Sequence, residues 1–275
     1  MRTVYLGTSP FAAHVLERLA EGPHRPALVV TRPDRPAGRG RKLTPPPVAD
    51  TARALGLDLD QPEDVNAPEA RARIAAAEPD VVAVCAFGAL LGEPLLSDFE
   101  MLNIHPSLLP RWRGAAPIER AIMAGDERTG VSIMRVTAGL DSGPVCLAAT
   151  EPIRPDDTYG SLTPRLEALG AELLQRALDE RPDCTEQDEA LVTYAEKIGA
   201  ADRTLDPAAP AEHQARVVRA LHPHIGARLA LDDGSYLGVH RARVGPDGSL
   251  ELLEVQPPGG RPMPYADYVR GHAAR

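Results

Sequence analysis

The first thirty-one residues constrain the fold most. Residues 2–7 (RTVYLG) are an apolar run that stops at Gly7. Residues 11–20 (FAAHVLERLA) then place Phe11, Val15, Leu16 and Leu19 on one face of a helix. Ser9 stands where an N-cap side chain belongs, and Pro10 at the first helical position. A second apolar run, ALVVT, follows at 27–31. Strand, helix and strand in that order predict a βαβ unit and hence an α/β fold with a parallel sheet. In such sheets ligands bind beyond the carboxyl ends of the strands. Those ends are where chemistry is to be sought.

The 275 residues allow one large domain or two smaller ones. Hydrophobic residues at 43% and charged residues at 25% exclude a disordered chain. No apolar run approaches the roughly 18 residues of a membrane span. The start of the chain has no signal-peptide core, so a cytoplasmic protein is expected. Cys85, Cys146 and Cys184 stand singly and predict neither a disulfide nor a zinc site. Cys85 and Cys146 lie in apolar runs and read as buried, inert thiols.

The alternation continues down the chain. Helices are expected at 48–55, 68–77, 116–124, 158–180 and 211–221. Strands are expected at 57–60, 80–86, 101–106, 130–136 and 144–153. Residues 32–47 (RPDRPAGRGRKLTPPP) break the rhythm, because five prolines and two glycines exclude a helix or a central strand. After about residue 178 the chain turns polar and acidic and reads as a linker. Beyond it, DDG at 232–234 and PDG at 246–248 separate alternating runs, the pattern of antiparallel hairpins. The expected division is a catalytic domain at 1–184, a linker at 185–199 and a small β-rich domain at 200–275.

Net charge is −9, which speaks against a general nucleic-acid binder. The charge is uneven, however. Between residues 31 and 53, Arg32, Arg35, Arg39, Arg41, Lys42 and Arg53 face only Asp34 and Asp50. Such a basic island on an acidic chain is either a partner footprint or a solvated loop.

Familiar cofactor and catalytic signatures are missing. The turn after the first strand reads Gly7-Thr8-Ser9-Pro10, not GxGxxG, and no P-loop, HExxH, CxxC or GxSxG occurs. Two other places stand out. Asn103 and His105 are two apart at the end of a predicted strand, so their side chains share one face. An amide donor beside an imidazole can hold a developing oxyanion and move a proton. The second place is Gly139-Leu140-Asp141-Ser142-Gly143, a tight turn that presents a carboxylate able to orient an imidazole.

SLLPRWRGAAPIERAI (107–122), directly after NIHP, resembles the signature of the 10-formyltetrahydrofolate-dependent formyltransferases. Further matches are GTSPFAAHVLERL at the start, AFGALL at 86–91, GLDSGP at 139–144 and LVTYAEKI at 191–198. TRPDRPAGRGRKLTPPPVA at 31–49 is similar to the branch that formylates methionyl initiator tRNA; the purine-pathway branch lacks it. The resemblance covers most of residues 1–200.

What the resemblance implies is specific. The fold would be a Rossmann-like formyltransferase domain followed by a small OB-like barrel. The reaction would carry formyl from 10-formyltetrahydrofolate to the α-amine of methionine on initiator tRNA, with no metal needed. A nucleotide-sugar amine is the alternative acceptor. Asn103, His105 and Asp141 occupy the family's catalytic positions. Ser107, Leu108, Leu109 and Pro110, with Ala86, Phe87, Gly88, Leu90 and Gly139, would line the folate pocket. Arg35, Arg39, Arg41 and Lys42 would meet tRNA. The partners would be tRNA and folate, with no membrane, and the protein a monomer.

The chain also departs from the family pattern. Pro106 stands where a glycine is frequent. Leu205-Asp206-Pro207 replaces Ile-Asp-Trp, and a PDG turn after Val244 stands where relatives carry about two more strands. The barrel, normally five strands, is therefore expected to be shortened. Within it, Arg216, Arg219, Arg228, Arg241 and Arg243 are candidate RNA contacts.

Overall fold

The computed structural model describes residues 1–37 and 40–272. It opens with β1 (Thr3–Gly7), α1 (Pro10–Glu21) and β2 (Pro26–Val30), the βαβ unit expected. Ser9 caps α1: its hydroxyl oxygen accepts from the Ala12 amide at 3.2 Å. Phe11, Val15, Leu16 and Leu19 are all buried, so the helical periodicity marks the core face. Strands β3 (Arg35–Ala37) and β4 (Lys42–Thr44) pair antiparallel as a ribbon of their own. A proline-rich segment cannot enter a central sheet, and a short separate ribbon is what it allows.

The alternation resumes with α2 (Pro47–Ala54), β5 (Leu59–Asp60), α3 (Pro68–Ala76), β6 (Val81–Cys85), α4 (Leu95–Asp98) and β7 (Met101–His105). Next come β8 (Arg113–Gly114), α5 (Pro117–Ala124), β9 (Arg128–Arg135), β10 (Val145–Pro152), α6 (Tyr159–Glu180) and β11 (Tyr194–Ala195). The main sheet has seven strands in the order β10-β9-β7-β6-β1-β2-β5. Pairs β1–β2, β1–β6, β2–β5 and β6–β7 are parallel, and β7–β9 is antiparallel. β6 is buried along its whole length, which explains its uninterrupted apolar sequence. Val4, Leu6, Val30, Ile74, Val84 and Leu95 belong to one buried cluster. Each fully buried Leu or Val there contributes about 1.5–3 kcal/mol.

The chain forms two compact units that interleave in sequence. One holds Met1–Arg113, Gly130–Glu151 and Pro164–Thr193; the other holds Gly114–Thr129, Pro152–Thr163 and Tyr194–Arg275. The composition shift after residue 178 marks only the last crossing between them. α5 packs on α7 (Ala211–Leu221), which places it in the second unit. That unit also contains β12 (Ala227–Ala230), β13 (Tyr236–Val244), β14 (Leu250–Gln256), β15 (Met263–Pro264) and α8 (Tyr265–His272). Its sheet is an antiparallel meander in the order β12-β13-β14-β15, one strand short of a five-stranded barrel. Both expected hairpin turns form. Gly234 and Gly248 take φ of 79° and 78°, and the Asp233 and Asp247 carboxylates accept from the Ser235 and Ser249 amides.

One sequence expectation needs correction. Cys146 and Cys184 form a disulfide. Val145 and Thr185 exchange backbone hydrogen bonds of 2.8 and 2.9 Å, which sets the two cysteines side by side. A separation of 38 residues leaves no local sign of this. Cys85 does remain a buried thiol, and burial pushes it up to about 12. Most of the C-terminal arginines named as RNA candidates make hydrogen bonds within the protein. Arg216 donates to the Met123 carbonyl, Arg219 to the Asp157 carbonyl, Arg228 to Thr204 Oγ1, and Arg243 pairs with Glu251. Four of the five RNA candidates thus have partners within their own unit. No described helix is long and apolar enough to cross a membrane.

Candidate active site

Asn103 and His105 lie at the carboxyl end of β7, on the same face, as period two requires. The alternate residues Leu102 and Ile104 are buried on the other face. Asp141 comes to them from the turn that joins β9 to β10. One carboxylate oxygen accepts from Asn103 Nδ2 at 3.4 Å, and the other lies 3.6 Å from His105 Nδ1. The three residues named from sequence are therefore one cluster, with Asp141 at its hub.

His105 has a protein group facing each ring nitrogen. Its Nε2 lies 2.7 Å from the Trp112 carbonyl. A carbonyl only accepts, so Nε2 carries a proton and Nδ1 is the nitrogen turned to the carboxylate. The His105 side chain is only 5% exposed, so its orientation is fixed by protein groups rather than by water. Asp141 takes a left-handed φ of 45°, uncommon for a residue with a side chain. Gly143, two residues on, has the Arg135 carbonyl 1.9 Å from where a Cβ would sit. No side chain fits there, which explains the second glycine of GLDSGP.

The folate candidates fall into two groups. Phe87, Gly88 and Leu90 line a cleft of about 420 Å³, together with Arg32, Val65 and Asn66. Ala86, at φ 42°, is exposed just before them. Leu108, Leu109 and Pro110 are half-buried, and Gly139 is exposed beside Asp141; none of them lines this cleft. Ser107 is fully buried, and its hydroxyl donates to the Arg111 carbonyl. That bond shapes the loop that delivers the Trp112 carbonyl to His105. Among the described residues, no group of three or more His, Cys, Asp or Glu side chains could hold a metal ion.

Of the basic candidates, Arg35 is ion-paired to Glu63 at 2.7 Å. Arg41 and Lys42 are exposed, Arg41 at a left-handed φ of 46°. Arg39 lies outside the described residues.

Sequence reasoning missed three contributors. The Trp112 carbonyl faces His105 through its backbone, which no side-chain pattern announces. Arg32 reaches the folate segment by donating to the Gly88 carbonyl. Gln187, in the stretch read as a linker, donates to the carbonyls of Asp141 and Gly143. A lone glutamine among acidic residues gave no signal.

Known proteins match this chain as follows. Residues 1–178 match the formyl transferase family. A methionyl-tRNA formyltransferase of Methylococcus capsulatus is 44% identical over 301 positions, covering 99% of this chain and 97% of its own length. The structure of methionyl-tRNA formyltransferase from Clostridium thermocellum superposes with a TM-score of 0.67 at 13% identity, over 93% of this chain and 98% of its own. HypX from Aquifex aeolicus in complex with tetrahydrofolic acid gives 0.67 at 18% identity, over 98% of this chain and 47% of its own. At such identities the two structures show a shared fold alone.

Proposed function

The chain belongs to the formyl transferase family, and on that premise we propose that it moves formyl from 10-formyltetrahydrofolate to the α-amine of methionine on initiator tRNA. The observation that carries this reading is the Asp141 carboxylate with the Asn103 amide on one oxygen and the His105 imidazole beside the other. The relative from Methylococcus capsulatus is named for methionyl-tRNA, which supports tRNA as the acceptor. The cleft of about 420 Å³ beside Phe87, Gly88 and Leu90 has the size of a small-molecule site, ~300–1,000 Å³, but none of Asn103, His105 and Asp141 lines it. The folate co-substrate supplies an acyl carbon already bonded to a nitrogen leaving group.

The residues divide the work by their chemistry. The amine attacks the formyl carbon, and negative charge builds on the formyl oxygen. Asn103 Nδ2 is a neutral donor suited to that charge, worth about 10²–10³ in rate at such a position. His105 keeps its Nε2–H on the Trp112 carbonyl, so its donation to the formyl oxygen comes from Nδ1, 3.6 Å from the Asp141 carboxylate. As the new C–N bond forms, the amine must lose a proton, and the Asp141 carboxylate accepts it, directly or through water. The folate nitrogen regains a proton when its C–N bond breaks, so the protons balance.

The acceptor arm would meet Arg35, Arg39, Arg41 and Lys42, whose guanidiniums and ammonium suit phosphates. This basic segment favours tRNA over a nucleotide-sugar amine. We further propose a cytoplasmic location and a monomeric state; sedimentation of the purified protein checks the monomer. The deciding experiment offers 10-formyltetrahydrofolate with either charged initiator tRNA or a nucleotide amino-sugar. Formylmethionine released from tRNA is the expected product. Turnover of the sugar alone would overturn the assignment.

A further inference from the structure

Gln187 lies outside every stretch that resembles the family signature. Its Nε2 donates to two backbone carbonyls at once, that of Asp141 at 2.8 Å and that of Gly143 at 2.7 Å. Its Oε1 accepts from Arg113 Nε at 3.0 Å. Carbonyls only accept and a guanidinium only donates, so the neighbours dictate which end of the amide points where. Arg113 is itself buried and pairs with Glu189 at 2.8 Å. Only a neutral amide of this length offers both donors and the acceptor together. Glutamate lacks the donors, and asparagine is one methylene short.

The turn that Gln187 grips is the one that needs a grip. Asp141 stands at a φ that a residue with a side chain keeps only when its surroundings hold it. The segment carrying Gln187 is well anchored. The Cys146–Cys184 disulfide and the Val145–Thr185 hydrogen bonds fasten it to β10 just upstream. Downstream, Thr193 Oγ1 accepts from the Trp112 amide at 2.9 Å, and the Thr193 carbonyl accepts from the Arg113 amide at 2.9 Å. One strap thus holds the Asp141 turn at one end and, at the other, the residue whose carbonyl faces His105.

We infer that Gln187 is a positioning residue for formyl transfer: by fixing the Asp141 and Gly143 carbonyls it sets the Asp141 carboxylate against Asn103 and His105, and it touches no substrate. The inference rests on the formyl-transfer reading above.

Gln187→Met keeps the length and removes the polar atoms. Its kcat should fall about 10- to 100-fold, the scale of a small misplacement of a reacting group. KM for tRNA and for folate should stay within about twofold. In an Asp141→Asn background the same substitution should change kcat by less than about twofold, because the effect passes through that carboxylate. Amides of residues 137–143 should exchange about tenfold faster in Gln187→Met, while those of Val81–Cys85 stay unchanged. An unaltered kcat, or an equal loss in the Asp141→Asn background, overturns the inference. A wild-type protein inert toward charged tRNA would defeat the formyl-transfer reading instead. Exchange at 137–143 would then still decide the matter, since unaltered exchange removes Gln187 from its role.

Discussion

The Arg32 guanidinium donates to the Gly88 carbonyl at 2.9 Å, across 56 residues of sequence. Arg32 opens the basic segment assigned to tRNA, and Gly88 belongs to the wall assigned to folate. A single hydrogen bond ties the two together. Arg32→Ala should therefore raise KM for both substrates by about three- to tenfold, the scale of one partly exposed charge-assisted bond. Steady-state kinetics with each substrate varied in turn is the check. A change in only one KM would uncouple the two surfaces.

Asn103→Ala, His105→Ala and Asp141→Ala should each lower turnover by about 10²-fold or more. Combining any two should cost far less than the product of the single losses, because the three share one carboxylate. Folding should survive, as circular dichroism would report. A soluble variant with near-normal turnover would take that residue out of the mechanism.

The glycines that flank Asp141 should behave differently. At Gly143 an added Cβ meets the Arg135 carbonyl at 1.9 Å, a backbone atom that cannot step aside. At Gly139 it meets the Ser142 hydroxyl at 2.2 Å, a side-chain end that can rotate away. Gly143→Ala should displace the turn and cost about 10²-fold in kcat, whereas Gly139→Ala should cost little. Equal effects would mean that the turn is not rigid.

In the basic segment, Arg41 and Lys42 are exposed, while Arg35 is already paired with Glu63. If Arg41 and Lys42 each meet a phosphate, Arg41→Ala and Lys42→Ala should each flatten the log–log salt slope of tRNA binding by about 0.7–0.9. Arg35→Ala should flatten it less. Filter binding from low to moderate salt measures this. Unchanged slopes for both Arg41→Ala and Lys42→Ala would make the island a solvated loop.

What the sequence revealed and what it hid follow one physical division. The cap at Ser9, the buried face of α1 and the shared face of Asn103 and His105 are set by neighbours a few residues away, so spacing exposes them. The Cys146–Cys184 bond, the Arg32–Gly88 bond and the grip of Gln187 on the Asp141 turn join residues tens of positions apart. Nothing local distinguishes Gln187 in a strap from a glutamine in a solvated linker. Composition is silent about the arginines for a related reason. Charge alone does not tell whether a guanidinium faces a phosphate or, as with Arg219, the Asp157 carbonyl of its own unit.

His222 should give folding stability a pH dependence near neutrality. Burial, and then the nearby His240 imidazole, hold His222 below its ordinary value, with Glu254 opposing. The two rings meet edge-on at 6.3 Å. The unfolded chain therefore binds a proton at His222 before the folded protein does. Between the lowered value and the ordinary one, about 6.5, the unfolded state carries more protons, so stability rises with pH through that window. Below it the burden on the folded state is complete, and above it the burden is gone. Urea unfolding midpoints taken from about pH 5.5 to 7.5 should rise in the wild type and rise less in His222→Gln. Parallel profiles for the two proteins would mean that His222 titrates alike in the folded and unfolded chains.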